Sequence, residues 1–435
     1  MEGAPMNIII GGGPAGRAAA LELASLEKDV TIIERNHLGG TCLNQGCMVI
    51  CGLRDVTNFL YDAKTLNEHH ILEFNYNIRY KKIAKGIKKT IAKIRKITEK
   101  ETKDAGIEVI YGEARVPDNK HVEVEGEKLN YDKLIIATGA RPYTPPIKGS
   151  ENAINYQDIL KLEEAPESLI IIGSGMIAAE IANIFSILGS KVHIICRREF
   201  LADIDWEIRD YITRILLKDV EIHTNTSIKS IKRGAVKTDK ERIEGIPFLA
   251  TGMTPNSEII DIVKKGERGN IIVNDRMQTT YNNIYAAGDV IGGIGTTPVA
   301  RMEGTIAGLN AAGIEKRIDY SCIPHAISLG YDVSYIEMKG AKGEKSVEGK
   351  MPGAAGPGSF WKVLDDNTGL GKVQVDLETG TIEKVYSIGP SSRNVVAYLS
   401  LLLKLGAKTY DFERFIETHP SSDVIYKLLR FFAKY

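Results

Sequence analysis

The feature that most constrains this chain is a glycine turn that occurs twice. Ile8-Ile9-Ile10 runs into Gly11-Gly12-Gly13-Pro14-Ala15-Gly16, residues 17–26 read as a helix, and Val30-Thr31-Ile32-Ile33 reads as a second strand ending at Glu34. That pattern predicts a βαβ nucleotide-binding unit. Its glycines permit a tight turn, close approach of backbone to a pyrophosphate, and close packing of helix on strand, while the helix N-terminus offers unpaired N–H groups to phosphates. The pattern returns at Leu169-Ile170-Ile171-Ile172, Gly173-Ser174-Gly175-Met176-Ile177-Ala178, a helix to Leu188, and Val192-His193-Ile194-Ile195. A lone glycine motif is weak evidence, whereas two complete strand-turn-helix-strand units predict an α/β protein with two Rossmann-like domains.

First glycine to strand-end residue is 23 positions in both copies, so they can be compared position by position. In the first, Glu34 is placed to accept hydrogen bonds from ribose hydroxyls. The second has no acid there; Cys196 is followed by Arg197 and Arg198, which suit a 2′-phosphate that a carboxylate would repel. Together with Ala178 in the third glycine position, this favours NADPH over NADH in the second unit. The alternative is that the two arginines merely cap an exposed strand end.

In 435 residues there is room for two to four domains, and 56 basic residues balance 56 acidic ones, so nucleic acid and anionic membrane are poor partners for this chain. Residues 168–189 have transmembrane length, but Glu180, Asn183 and a glycine turn make them a buried strand and helix. The start leads straight into the first strand, unlike a signal peptide, and a cytoplasmic location is expected. Five cysteines over this length are no disulfide scaffold.

Two further strands, residues 134–139 and 248–252, each end in Ala-Thr-Gly, and residues 284–289 form a third strand-to-glycine junction, ending at Asp289. Isoleucines 83, 87, 91, 94 and 97 recur at helical spacing, predicting a long amphipathic helix over residues 79–103 with a solvated basic face. Residues 340–358, rich in glycine and carrying Pro352 and Pro357, read as a mobile loop.

Gly39-Gly40-Thr41-Cys42-Leu43-Asn44-Gln45-Gly46-Cys47 follows directly on the first unit. Positions five apart in an ideal helix are displaced by about 7.5 Å along the axis, against about 4.4–6.8 Å between the Cα atoms of a disulfide. A bridge between Cys42 and Cys47 therefore closes only in a distorted turn, which makes it labile, while a helix N-terminus stabilises a thiolate. The pair has the properties of a working disulfide.

Taken with the second glycine turn and Glu180, the second Ala-Thr-Gly with Pro255-Asn256, Ala287-Gly288-Asp289 and His419-Pro420, these motifs make nearly the whole chain resemble the class I pyridine nucleotide-disulfide oxidoreductases, the family of dihydrolipoamide dehydrogenase, glutathione reductase and mercuric reductase. The resemblance implies FAD and NADP (or NAD) as cofactors, no metal, and a homodimer. It divides the chain into an FAD domain (1–147), an NAD(P) domain (148–270), a return to the FAD domain (271–315) and a C-terminal α+β dimerisation domain (316–435). It implies cofactor contacts at Gly11, Gly13, Pro14, Ala15, Gly16, Glu34, Arg35, Gly40, Thr41, Ala114, Thr138, Gly139, Gly288 and Asp289, and in the second unit at Gly173, Gly175, Ile177, Arg197, Arg198 and Gly252. It further implies Cys47 as the thiol beside the flavin, Cys42 as the one exchanging with substrate, and His419 as acid/base in the partner subunit's site, with Asp423 placed to orient its ring.

The chain also departs from the family. Relatives commonly continue Ile-Pro-Ser-Lys after the second cysteine; here Met48-Val49-Ile50-Cys51 leaves Glu180 without its lysine, so that it pairs elsewhere, with Arg54 a candidate, or is protonated by burial. Asp423 follows His419 by four residues where relatives place a Glu at five, and Met253 stands where many have Arg. Cys51 reads as an apolar filler, Cys196 and Cys322 as structural. The expected activity is dihydrolipoamide dehydrogenase-like exchange between NAD(P)H and a small-molecule or lipoyl disulfide. NADPH-driven reduction of another small disulfide, or an NAD(P)H oxidase or diaphorase, are the alternatives.

Overall fold

The isoleucine runs form the centres of two parallel sheets in the computed structural model, which describes residues 6–338, 340 and 343–435. Strand β1 (Asn7–Ile10), helix α1 (Pro14–Ser25) and strand β2 (Val30–Glu34) make the first unit, with every residue of β1 and β2 buried. β1 lies between β2 and Lys133–Ile136; Glu108–Tyr111 extends the sheet beyond β2 and Ile284–Ala286 beyond Lys133–Ile136, all parallel. In the second sheet Ser168–Ile172 lies between Lys191–Ile195 and Ile246–Leu249, with Val220–His223 at the edge, again all parallel. Continuous burial on both faces explains why these strands read as unbroken apolar runs.

The two units are docked to each other symmetrically. Ala137 donates its N–H to Ile10 and Ala250 donates to Ile172, so each Ala-Thr-Gly closes beside its own glycine turn. Beyond them Ala140–Pro142 and Met253–Pro255 pair as a two-stranded antiparallel ribbon. Asn256 fastens it by giving its side-chain N–H to the Thr138 carbonyl at 3.0 Å and accepting the Thr138 hydroxyl on its own carbonyl at 2.6 Å.

The amphipathic helix spans Tyr80–Asp104, with Ala84, Ile87, Ile91, Thr98 and Thr102 buried. Ile97, expected inside, is half exposed, because the far end of the helix docks through polar groups: Arg17 donates to the Thr102 hydroxyl, which itself donates to the Thr98 carbonyl. Helix Thr297–Ala311 crosses α1 so closely that a Cβ on Gly304 would lie 2.1 Å from the Ala15 carbonyl oxygen. This contact carries the start of that helix to the redox cysteines.

Residues 325–389 build a five-stranded antiparallel sheet covered by helices Ser392–Lys404 and Ile425–Phe432. Its edge corrects the expectation of a loop over 340–358, part of which lies outside the described residues: Ser346–Pro352 pairs along its length with Leu370–Asp376. Its alternate residues Val347 and Met351 pack on the core of the C-terminal unit, and Gly349 lies between them because the Phe432 ring occupies the space of a side chain, 2.6 Å from where a Cβ would sit. Among the described residues no helix is long and apolar enough to cross a membrane.

Candidate active site

The glycine turn and the redox segment are built against each other. Gly39 donates its N–H to the Gly12 carbonyl, and a Cβ on Gly40 would lie 2.7 Å from the Gly13 Cα, so the redox segment needs glycine where it meets the turn. Helix α2 (Gly40–Asn44) carries Cys42 and stops at Gln45; helix α3 (Cys47–Glu68) restarts with Cys47 in its first turn. The two cysteines therefore sit on consecutive helices rather than within one distorted turn. Thr41 closes the break by accepting both the Gln45 and Gly46 N–H groups, at 2.9 and 2.7 Å.

Both cysteines are thiols here and hydrogen bond to each other. The Cys42 hydrogen bond holds the Cys47 thiol down to about 6, against burial, with Thr297 adding to the effect from 3.6 Å. The same bond drives Cys42 strongly upward, burial adds to it, and the Arg301 guanidinium opposes. The dithiol is thus polarised, with Cys47 as thiolate and Cys42 as the protonated partner. Carbamidomethylation of Cys47 in the reduced protein should accordingly rise with pH about a midpoint near 6 and level off above it. Thr297→Val should move that midpoint upward, and a midpoint in the ordinary thiol range for the native protein would contradict the assignment.

Glu180, on helix Met176–Ile187, is half-buried, and desolvation of its carboxyl raises its pKa. Its partner is the Ser328 backbone N–H at 2.7 Å, which brings the C-terminal sheet to the nucleotide units. Arg54, the partner considered from sequence, instead meets Asp332 at 2.5 Å, together with Arg393 at 2.7 Å, and the two guanidiniums act on Glu180 only through their charge. Cys51 is exposed one turn along α3 from Cys47, its pKa raised by burial of the thiol and by the charge on Cys47.

The cofactor-binding candidates fall into two cradles. α1 and Met176–Ile187 both start at glycines, Gly13 and Gly175, with no side chain capping their first N–H groups, leaving those donors for phosphates. A Cβ on Gly11 would meet the Ala137 carbonyl at 2.3 Å and one on Gly173 the Ala250 carbonyl at 2.2 Å, so both turns lie flat against the neighbouring strand end. Gly16 would clash with the Gly11 carbonyl at 1.9 Å, while its counterpart Ala178 is accommodated and fully buried. Pro14 begins α1, Ala15 touches the helix of Gly304, and Ile177 stands exposed in the first turn of its helix. Glu34 accepts the Gly12 N–H on one oxygen and the Asn36 N–H on the other, at 2.7 and 2.8 Å, and each oxygen keeps a lone pair. Burial raises the Asp289 carboxyl, and its neighbour Gly288 donates to Glu303 at 2.8 Å. Gly139 and Gly252, both in the left-handed region, have open space where a Cβ would point. The residues fit a dinucleotide in each unit.

Arg35 is exposed beyond Glu34, and Ala114 starts a two-residue strand just after Gly112, which donates its N–H to the Glu34 carbonyl at 3.1 Å, and packs on the cluster that holds Ile10 and Ile33. Arg197 and Arg198 are exposed at the end of Lys191–Ile195 and, among the described residues, form no ion pair. His419 is exposed and makes no hydrogen bond to the cysteines of its own chain. Asp423 does not reach it: its oxygens take the Tyr398 hydroxyl at 3.0 Å and the Ile425 N–H at 2.8 Å, tying down the last helix. Thr297, Arg301, Ser328 and Glu303 are functional neighbours that the motifs missed. Thr297-Pro298 is a helix-start signal and so marks an N-terminal turn, but nothing local says which site that turn faces.

Two nucleotide cradles facing a polarised cysteine pair define a flavoprotein disulfide reductase. Residues 6–304 match the family model described as pyridine nucleotide-disulphide oxidoreductase, and the chain belongs to that family, whose members use FAD and a pyridine nucleotide. An uncharacterized protein of Methanocaldococcus jannaschii is 32% identical over 432 residues, covering 97% of each chain. A dihydrolipoyl dehydrogenase of Geobacillus stearothermophilus is 30% identical over 439 residues, covering 95% of this chain and 93% of that one. The solved structure of the HOCl-induced flavoprotein disulfide reductase RclA from Escherichia coli superposes with a TM-score of 0.85 at 26% identity, covering 99% of both chains.

Proposed function

We propose that this protein is an NADPH-driven reductase of a small disulfide, working through Cys42 and Cys47 as a homodimer. The observation that carries this reading is the placement of Cys42 and Cys47 on consecutive helices built against the first glycine turn, with Arg197 and Arg198 exposed at the strand end of the second unit. FAD, when bound, supplies the two-electron link between the nucleotide and the cysteine pair. Its holders are the first glycine turn, Glu34 and Asp289, and those of NADPH are the second turn, Arg197 and Arg198.

The chemistry of the chain's own residues follows from their protonation. Cys42 keeps its proton, so it needs a base before it can attack. His419 of the partner subunit takes that proton, and the Cys42 thiolate then displaces one sulfur of the substrate disulfide. A mixed disulfide forms and the departing thiolate receives the proton from the imidazolium. Cys47, already ionised, attacks Cys42 within the mixed disulfide, closes the Cys42–Cys47 bond and releases the second substrate thiolate. One substrate disulfide is thus reduced to one thiol and one thiolate, the latter taking its proton from solvent, as the enzyme pair is oxidised.

The dimer is supported by the apolar groups left exposed around the C-terminal unit, among them Leu401, Leu405, Ile416 and Phe431. His419→Gln should cut disulfide turnover by about two to three orders of magnitude and leave reduction of the holoenzyme by NADPH nearly unchanged; equal loss in both would count against the role. The reading as a whole is tested by presenting the NADPH-reduced holoenzyme with low-molecular-weight disulfides, oxidised lipoamide and oxygen. Turnover of a low-molecular-weight disulfide with NADPH preferred over NADH supports it. Turnover confined to dihydrolipoamide with NAD⁺ would make the protein a dihydrolipoyl dehydrogenase, and turnover with oxygen alone an oxidase.

A further inference from the structure

A second cluster of ligating side chains lies outside the redox centre, on the edge of the nucleotide sheet. His193 stands in the middle of Lys191–Ile195, and its register partner on the parallel edge strand Val220–His223 is Glu221; His223 ends that strand, opposite Ile195. Because alternate residues share a face, His193, Glu221 and His223 project to the same side. That side is the one covered by the small sheet of residues 228–244, which packs Ile231, Val236 and Ile243 onto Ile170, Ile172 and Ile195.

The ligand atoms converge. His193 Nδ1 lies 3.2 Å from His223 Nε2 and 3.2 Å from Glu221 Oε2, and one ligand atom from each residue falls within 4.8 Å of the others. In a tetrahedral zinc site with metal–nitrogen bonds of about 2.0–2.1 Å, neighbouring ligand atoms stand about 3.3 Å apart, close to two of the separations here. Without an ion, a single proton on His193 Nδ1 would have to serve two acceptors at equal distance. The surroundings orient the set as well. Lys191 holds the other Glu221 oxygen at 3.1 Å, and Glu241 stands 3.6 Å behind His223 Nδ1, on the side that leaves Nε2 turned to the cluster. His193 is buried, His223 half-buried and Glu221 exposed, so the cluster has an enclosed floor and one side open to solvent. Two imidazoles and a carboxylate suit a borderline divalent transition ion rather than calcium or magnesium, which prefer oxygen, or copper(I), which prefers sulfur.

We propose that His193, Glu221 and His223 form a binding site for a divalent transition-metal ion of the zinc class. The ion staples the edge strand to its neighbour beneath the strand end that carries Arg197 and Arg198, and it takes no part in the cysteine chemistry.

The test is equilibrium dialysis of Zn²⁺ against chelator-treated holoenzyme with the redox cysteines oxidised, repeated on the Cys42→Ser/Cys47→Ser double variant. One tightly held Zn²⁺ per chain is expected in both. Its dissociation constant should rise at least about 10-fold in Glu221→Ala and His223→Ala, and by less in Glu241→Gln, whose residue acts on the ligand rather than the metal. Glu221 is exposed, so its variant folds and decides the matter even if His223→Ala loses flavin or melts early. Unchanged affinity in Glu221→Ala, or loss of the bound ion in the cysteine double variant, would overturn the proposal.

Discussion

The Cys47→Ser holoenzyme should accept electrons from NADPH at close to the native rate and yet reduce disulfides about a thousand-fold more slowly. The reason lies in the division of labour between the two thiols. Cys42 can still open a substrate disulfide, but the mixed disulfide it forms can be resolved only by an ionised sulfur within reach. Cys47 is that sulfur, ionised by the Cys42 thiol in the dithiol and kept beside the Thr297 hydroxyl once Cys42 is bonded to substrate. A serine hydroxyl stays protonated at neutral pH and forms no disulfide, so the variant stalls after one half of the exchange and should retain one substrate thiol per chain, detectable by mass. Cys42→Ser should lose turnover to the same extent without trapping any substrate. Native-level turnover in either variant would mean that electrons leave without passing the pair, which is the behaviour of an oxidase or diaphorase.

The second large effect concerns the nucleotide. Replacing Arg197 and Arg198 together by Ala should lower kcat/KM for NADPH by roughly 30- to 150-fold while leaving NADH nearly unaffected. Two charge-assisted hydrogen bonds to a phosphate, at about 1.5 kcal/mol each, set the upper figure, and screening at an exposed site reduces it. The loss should appear in KM and shrink as salt is raised, since neither side chain touches the reacting atoms. Both arginines are exposed and, among the described residues, without ion pairs, so removing them disturbs little else. An equal loss with both nucleotides would mean that the arginines support the strand end rather than read a 2′-phosphate.

How far the sequence reached depended on how local each property is. The β1 turn, its repeat at Gly173, and the strands ending in Ala-Thr-Gly were legible because their constraints act over a few residues: a glycine where a Cβ would strike a carbonyl, an apolar run where both faces are buried. The break between α2 and α3 was half legible. The spacing of Cys42 and Cys47 excluded a regular helix, but Thr41 holding Gln45 and Gly46 was needed to show two helices. The edge strand Ser346–Pro352 is not legible locally, because its glycine and proline content signals a loop while its pairing with Leu370–Asp376 and the seating of Val347 and Met351 on the core come from distant residues.

What the sequence determined by itself is therefore the pair of nucleotide units, the cysteine motif placed against the first of them, and the family to which the chain belongs. The tertiary structure alone decided the charges at the site. Thr297 reaches Cys47 from 250 positions away, Ser328 takes Glu180 from 148 away, and Asp332 gathers Arg54 and Arg393, leaving half-buried Glu180 with the Ser328 N–H as its partner. It also drew Asp423 away to Tyr398 and the last helix, and it brought His193 and His223 together across two strands. Protonation depends on burial and on charges a few ångströms away, and those distances exist only once the sheets have packed.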